Sequence, residues 1–140
     1  MKGTIMCQAK DIMTNEVICV SKDTPIFEAI QIMVENIITG VPVVEDDMTL
    51  VGILSEQDVL RLFHTHKQER NRTVGEFMTQ PAVNFEENDR LLDICYRLRD
   101  YPIRRVPVTS NGKVTGVISR ADILKCILQL SQQACHSGSE

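Results

Sequence analysis

Gly52-Ile53-Leu54-Ser55-Glu56-Gln57-Asp58 returns 64 residues later as Gly116-Val117-Ile118-Ser119-Arg120-Ala121-Asp122. Each copy runs glycine, two aliphatic residues, serine, two variable positions and aspartate. Upstream, Gly40-Val41-Pro42-Val43 matches Arg105-Val106-Pro107-Val108 at an offset of 65. Further upstream, Asp11-Ile12-Met13-Thr14 matches Glu76-Phe77-Met78-Thr79, again at 65. The second copy is therefore one residue shorter in the turn between its last two blocks. Three blocks in one order with one small gap define an internal duplication.

Both copies read as the same elements. Val17 to Val20 and Ala82 to Phe85 are short apolar strands. A helix follows each. In the first copy Thr24 is the expected N-cap, with Pro25 at the first helical position and Ile26, Ile30, Met33 and Ile37 on one face. In the second, Asp89 is the expected cap, and Leu91, Ile94, Cys95 and Leu98 form the stripe. A hairpin comes next, from Val41 to Val44 and Leu50 to Leu54, or from Val106 to Thr109 and Val114 to Ile118. Its turn is Glu45-Asp46-Asp47 in one copy and Ser110-Asn111-Gly112 in the other. A closing helix runs from about Glu56 to His64, or from about Arg120 to Ser131. Each unit is β-α-β-β-α, an α/β (α+β) class. The expected boundaries are 9–64 and 74–131, with a polar linker at 65–73 and a flexible Ser/Gly-rich tail at 132–140. A three-stranded sheet with two helices leaves apolar surface open, and two units packed sheet to sheet cover it.

Composition bounds the function. The chain has 140 residues, and a single half of roughly 60 residues would be marginal alone, because it buries too small a fraction of its surface. Aromatics are only 4% and the net charge is −4, which argues against nucleic-acid binding. No apolar run approaches the roughly 18 residues of a membrane span, and the start lacks the apolar stretch of a signal peptide, so a cytoplasmic location is expected. The five cysteines, Cys7, Cys19, Cys95, Cys126 and Cys135, form no C-x-x-C pair and read as reduced thiols. Met6, Met13, Met33 and Met78 read as core filler. His64-Thr65-His66 has no Cys or Asp beside it and reads as solvated rather than metal-binding. His64, His66 and His136 lie in linker or tail, and no nucleophile stands beside a base, so no catalytic residue and no catalytic cofactor are expected.

The doubled Ser-x-x-Asp carries two readings. One is a capping box, in which the side chains satisfy backbone donors at a helix start. The other is a ligand site: an ionised Asp58 or Asp122 can accept hydroxyl donors of a ligand, and Ser55 or Ser119 stands where a helix start favours an anion. The two roles are compatible. Arg104, Arg105 and Arg120 either are solvated surface charges or supply charge-assisted bonds to a phosphate. The first copy has Thr39, Gly40 and Glu56 at those positions, so two sites would not be equivalent.

The ordered, doubled blocks resemble the CBS (cystathionine-β-synthase) domain pair, or Bateman module, over about residues 9 to 130. The resemblance implies a pseudo-two-fold pair of units. It implies an adenosine-type ligand in clefts between the two units: AMP, ADP, ATP, S-adenosylmethionine or NAD. It implies a homodimer forming a flat disc of four units, and, for a chain without an output domain, a protein target that reads the ligand's effect. The implied nucleotide-binding residues of the second copy are Thr79, Val83, Arg104, Arg105, Pro107, Ser119, Arg120 and Asp122. Those of the first are Thr14, Ile18, Thr39, Gly40, Pro42, Ser55 and Asp58. Taken alone, Ile18 and Val83 read simply as core strand residues. The competing function is a scaffold or oligomerising CBS protein with empty clefts.

Overall fold

The computed structural model describes residues 7–61, 72–100 and 104–138, with side chains described through residue 133. Met6, Cys135, His136, the expected helix end at His64, the His64-Thr65-His66 pair and most of the linker lie outside what is described at side-chain level.

The elements in chain order are α1 (Ala9–Ile12), α2 (Ile26–Asn36), β1 (Gly40–Val44), β2 (Leu50–Ser55), α3 (Glu56–Leu60), α4 (Val74–Phe77), β3 (Phe85–Glu86), α5 (Leu91–Leu98), β4 (Arg105–Ser110), β5 (Lys113–Ser119) and α6 (Arg120–Gly138). They fall into two compact units. One comprises Ile18–Val83 and Asn111–Val114. The other comprises the residues up to Val17, Asn84–Ser110 and Thr115 onward. The units do not follow the sequence copies. Each takes the Met-Thr segment that opens the other copy.

In the unit containing β1 and β2, the two strands pair antiparallel, with Val41 opposite Leu54 and Val43 opposite Gly52. Val20 adds one parallel rung, donating its N–H to the Pro42 carbonyl at 3.0 Å and accepting from the Val44 N–H at 2.8 Å. The expected strand from Val17 to Val20 goes no further because the next rung needs an N–H at position 42, and proline has none. The same rule operates in the other unit. There β3 pairs parallel to β4, with Phe85 opposite Val108, and Pro107 offers no N–H to residues upstream. The second first-strand is thus Phe85–Glu86 rather than Ala82 to Phe85. β4 continues into β5, completing a three-stranded sheet. Their turn is Asn111-Gly112, with φ of 55° and 82°. That is the pair of positive-φ residues a tight hairpin requires.

Both expected helix caps move by one residue. α2 begins after Pro25, whose ψ of 138° lies outside the helix. Thr24 instead accepts the Ser21 N–H on its hydroxyl at 3.0 Å, closing the preceding turn. Likewise α5 begins after Arg90, and Asp89 accepts the Glu86 N–H at 2.9 Å. The polar side chains were in demand one turn earlier. α6 runs to Gly138, past the end expected at Ser131.

The core around β1–β2 gathers Val20, Ile26, Ala29, Met33, Val41, Val43, Leu54, Val74 and Phe77. Around β4–β5 the buried residues include Ala9, Phe85, Ile94, Leu98, Val106, Val108, Ile118 and Ile123. Each set is almost wholly aliphatic, as the composition requires. Among the described residues no helix is long and apolar enough to cross a membrane.

Candidate functional site

The short helices α1 and α4 explain the acidic residue of the opening motif. Asp11 accepts the Gln8 N–H at 2.9 Å and Glu76 accepts the Thr73 N–H at 2.8 Å, each closing a single turn. The turn's leading N–H groups are then spent on one loop. Val74 and Gly75 donate to the carbonyls of Thr24 and Lys22, while Ala9 and Lys10 donate to those of Asp89 and Glu87. The chain leaves the turn as Met-Thr and crosses a glycine. A Cβ on Gly52 would lie 2.9 Å from Met78 Sδ and 2.9 Å from the Thr79 carbonyl. A Cβ on Gly116 would collide with Met13 and lie 3.0 Å from the Thr14 carbonyl. Only glycine admits these crossings.

The crossing sets the threonine beside the strand that leads to the Ser-x-x-Asp block. Thr79 exchanges backbone bonds with Ile53 at 2.8 and 3.1 Å; Thr14 exchanges them with Val117 at 2.9 and 3.0 Å. The structure therefore places Thr79 with Ser55 and Asp58, and Thr14 with the strand ending at Ser119. The sequence reading grouped them the other way, Thr14 with Asp58 and Thr79 with Asp122. Repeat order alone does not distinguish the two groupings, since a motif repeated at a fixed offset fits either. Ile18 and Val83 both cluster with Asp58's unit.

At Ser55 the capping box is complete. Ser55 donates its N–H and hydroxyl to Asp58 Oδ2 at 2.8 and 2.9 Å, and its Oγ accepts the Asp58 N–H at 3.3 Å. Asp58 Oδ1 accepts the Thr79 hydroxyl at 3.0 Å and the Arg61 guanidinium at 2.7 Å. Arg61 was not among the expected site residues. Only its spacing of three from Asp58 signals it, as an i,i+3 helix pair. Asp58 is 5% exposed, so this carboxylate is buried and held on both oxygens. Thr39 accepts the Glu56 N–H on its carbonyl at 2.9 Å, Gly40 lies opposite Ser55, and Pro42 opposite Ile53.

In the other unit Ser119 donates its N–H to Asp122 Oδ2 at 2.9 Å and accepts the Asp122 N–H at 3.1 Å. Arg120 donates its N–H to the Arg104 carbonyl at 3.2 Å, the counterpart of Glu56 with Thr39. Arg104 and Arg120 are exposed, Arg105 and Asp122 half-buried, and Pro107 buried. Three guanidinium-bearing residues thus flank this block, with a 19-residue helix starting at Arg120. Among the described residues, no group of three or more His, Cys, Asp or Glu side chains is placed to hold a metal ion.

Duplicated hairpins, each crossed at a glycine by a Met-Thr segment and ending in a Ser-x-x-Asp cap, define a duplicated α+β fold. The chain belongs to the CBS domain family, whose pattern matches residues 9–65 and 74–129. It is similar to the crystal structure of CBSX2 from Arabidopsis thaliana in complex with AMP, at a TM-score of 0.80 and 30% identity, covering 89% of this chain and 98% of that one. It is similar to the CBS domain pair of protein MJ0100 in complex with methylthioadenosine and S-adenosyl-L-methionine, at a TM-score of 0.74 and 25% identity, covering 86% and 99%. The uncharacterized protein MJ1225 of Methanocaldococcus jannaschii is 28% identical over 84% of this chain, and the chain spans 42% of that protein's length.

Proposed function

We propose that this protein is a nucleotide-sensing module: it binds an adenosine-type nucleotide, carries out no chemistry of its own, and passes the effect of binding to a protein target. The observation that carries the reading is the doubled carboxylate beside a crossing threonine strand. Asp58 and Asp122 are held in fixed orientation by Ser55 and Ser119, which suits an acceptor for ribose hydroxyls. Pro42 and Pro107 hold the first strands to Val20 and to Phe85–Glu86, and an edge kept this short suits edge-on contact with a base. The 30% identity to an AMP-bound CBS pair supports the same ligand class.

The second copy's block is the one suited to a phosphate. Arg120 opens α6 and donates its N–H to the Arg104 carbonyl, with Arg105 next in the chain, so positive charge and the helix dipole act together there. AMP, ADP or ATP is expected there before S-adenosylmethionine or NAD. Asp122→Ala or Arg105→Ala should weaken AMP binding more than Asp58→Ala does, read by calorimetry. The reverse order would remove this site assignment.

Exposed apolar side chains support a homodimer. Val34, Ile37 and Leu60 are 71%, 91% and 58% exposed along a groove of about 380 Å³ between α2 and α3. Leu92, Tyr96 and Leu124 are 76%, 67% and 67% exposed on α5 and α6. Sedimentation equilibrium of the wild type against Val34→Glu tests this.

The test of the ligand is thermal unfolding with AMP, ATP, S-adenosylmethionine and NAD. A ligand at 100 times its Kd adds about 2.7 kcal/mol. No shift with any of them at millimolar concentration favours the second reading, a ligand-free scaffold. One observation favours that reading at the first copy: Asp58 already has both oxygens engaged by the protein's own groups.

A further inference from the structure

Asp58 and Asp122 share one cap, but what surrounds them differs. The Ser-Asp bonds are common to both. The added bonds at Asp58 are the Thr79 hydroxyl at 3.0 Å and the Arg61 guanidinium at 2.7 Å, both on Oδ1. Arg61 reaches further. The same Nη2 donates to the Phe77 carbonyl at 3.0 Å, in the last turn of α4. One side chain thus ties α3 to the segment that carries Thr79. Arg61 is 61% exposed at its side chain while Asp58 is 6% exposed. The cation comes from the solvent side and covers a buried carboxylate.

We propose that Arg61 is a latch on the first nucleotide site: with Thr79 it holds the carboxylate oxygen that a ribose must take, and binding there requires the latch to open. This rests on the reading of Asp58 as a ribose acceptor. A ribose hydroxyl donating to Oδ1 competes with a charge-assisted bond, which is stronger than a neutral one. The first site is therefore the weaker of the two. Its occupancy also releases Arg61 from Phe77 and so frees the end of α4. The position matching Arg61 in the second copy is Lys125, an exposed residue with a compact ammonium in place of a planar fork. The latch is thus a property of one site, and it makes the pair respond to two ranges of nucleotide concentration instead of one.

The experiment is calorimetric titration of the full chain with AMP. The variants are Asp122→Ala, to silence the second site, and that variant combined with Arg61→Ala or Arg61→Met. Methionine keeps the aliphatic stem and removes the charge, so one of the two double variants stays testable if the other is poorly folded. Removing the latch should tighten AMP binding at the remaining site by about tenfold relative to Asp122→Ala alone. Adding Asp58→Asn should abolish that gain. A merely structural arginine would give equal or weaker binding when removed, and that result overturns the latch. If the wild type and every variant fail to bind AMP, the ribose reading itself falls, and the latch falls with it.

Discussion

At Gly52 and Gly116 the absence of a side chain decides where another part of the chain can run. Gly52 faces Met78 Sδ and the Thr79 backbone, both 2.9 Å from where a Cβ would sit. The thioether can swing away, but the carbonyl cannot. Gly52→Ala should therefore lower unfolding free energy by about 1–3 kcal/mol, measured by urea denaturation. An unchanged midpoint would mean that the crossing is looser than its geometry indicates. Burial also sets the chemistry of a thiol in the same unit as Gly52. It pushes Cys19 up to about 11 from 9.0. In the unfolded chain this thiol ionises first, so the folded state holds more protons between those values. The contribution of Cys19 to stability is intact below pH 9 and is lost as pH rises toward 11. Cys19→Ala should flatten the fall in stability across that window relative to wild type, and identical slopes would rule the contribution out.

The elements show what a one-dimensional reading reaches. Both hairpins and both Ser-x-x-Asp caps were legible, because turn residues, alternation and capping are local properties. The first strands, expected at Val17 to Val20 and Ala82 to Phe85, come out shorter or shifted, as a single bridge at Val20 and as Phe85–Glu86. Pro42 and Pro107 were recognised as parts of a repeated block, yet their effect falls on a neighbouring strand that local patterning does not name. Thr24 and Asp89 failed as caps for a related reason. A residue able to cap also closes turns, and the preceding turn took them. α2 ends on a second such surprise. Ile37 holds a left-handed backbone with φ of 54° and is 91% exposed. A β-branched residue there costs about 1–2 kcal/mol relative to a relaxed one. Ile37→Gly should recover most of that, less the extra freedom glycine has when unfolded, for a net gain of about 0.5–1 kcal/mol in chemical denaturation. A loss of stability would show that Ile37 contributes contacts in an assembly.

On the scale of the whole molecule, the duplication was plain in the sequence, whereas the spatial grouping needed the structure. Thr14 and Thr79 were sorted into the copies they belong to by order, and the backbone bonds sort them the other way. The compact unit around β1–β2 closes with Val74 and Phe77 in its core. A fragment of residues 1–64 lacks both and should be unfolded by circular dichroism. A mixture of 1–64 with 65–140 should regain the native spectrum. If 1–64 folds alone, the second copy's segment is an accessory and not part of the core.

The glycine crossings carry a consequence for how such a chain arose. A single copy has one opening segment and one glycine, but it offers that segment to a different copy's strand. Two separate single-copy chains would have to trade segments reciprocally, and so would fold only as a pair whose yield depends on concentration. Fusion in one polypeptide replaces that second-order encounter with a tethered one at high effective concentration. It also lets the two halves differ, Arg61 in one standing where the other has Lys125.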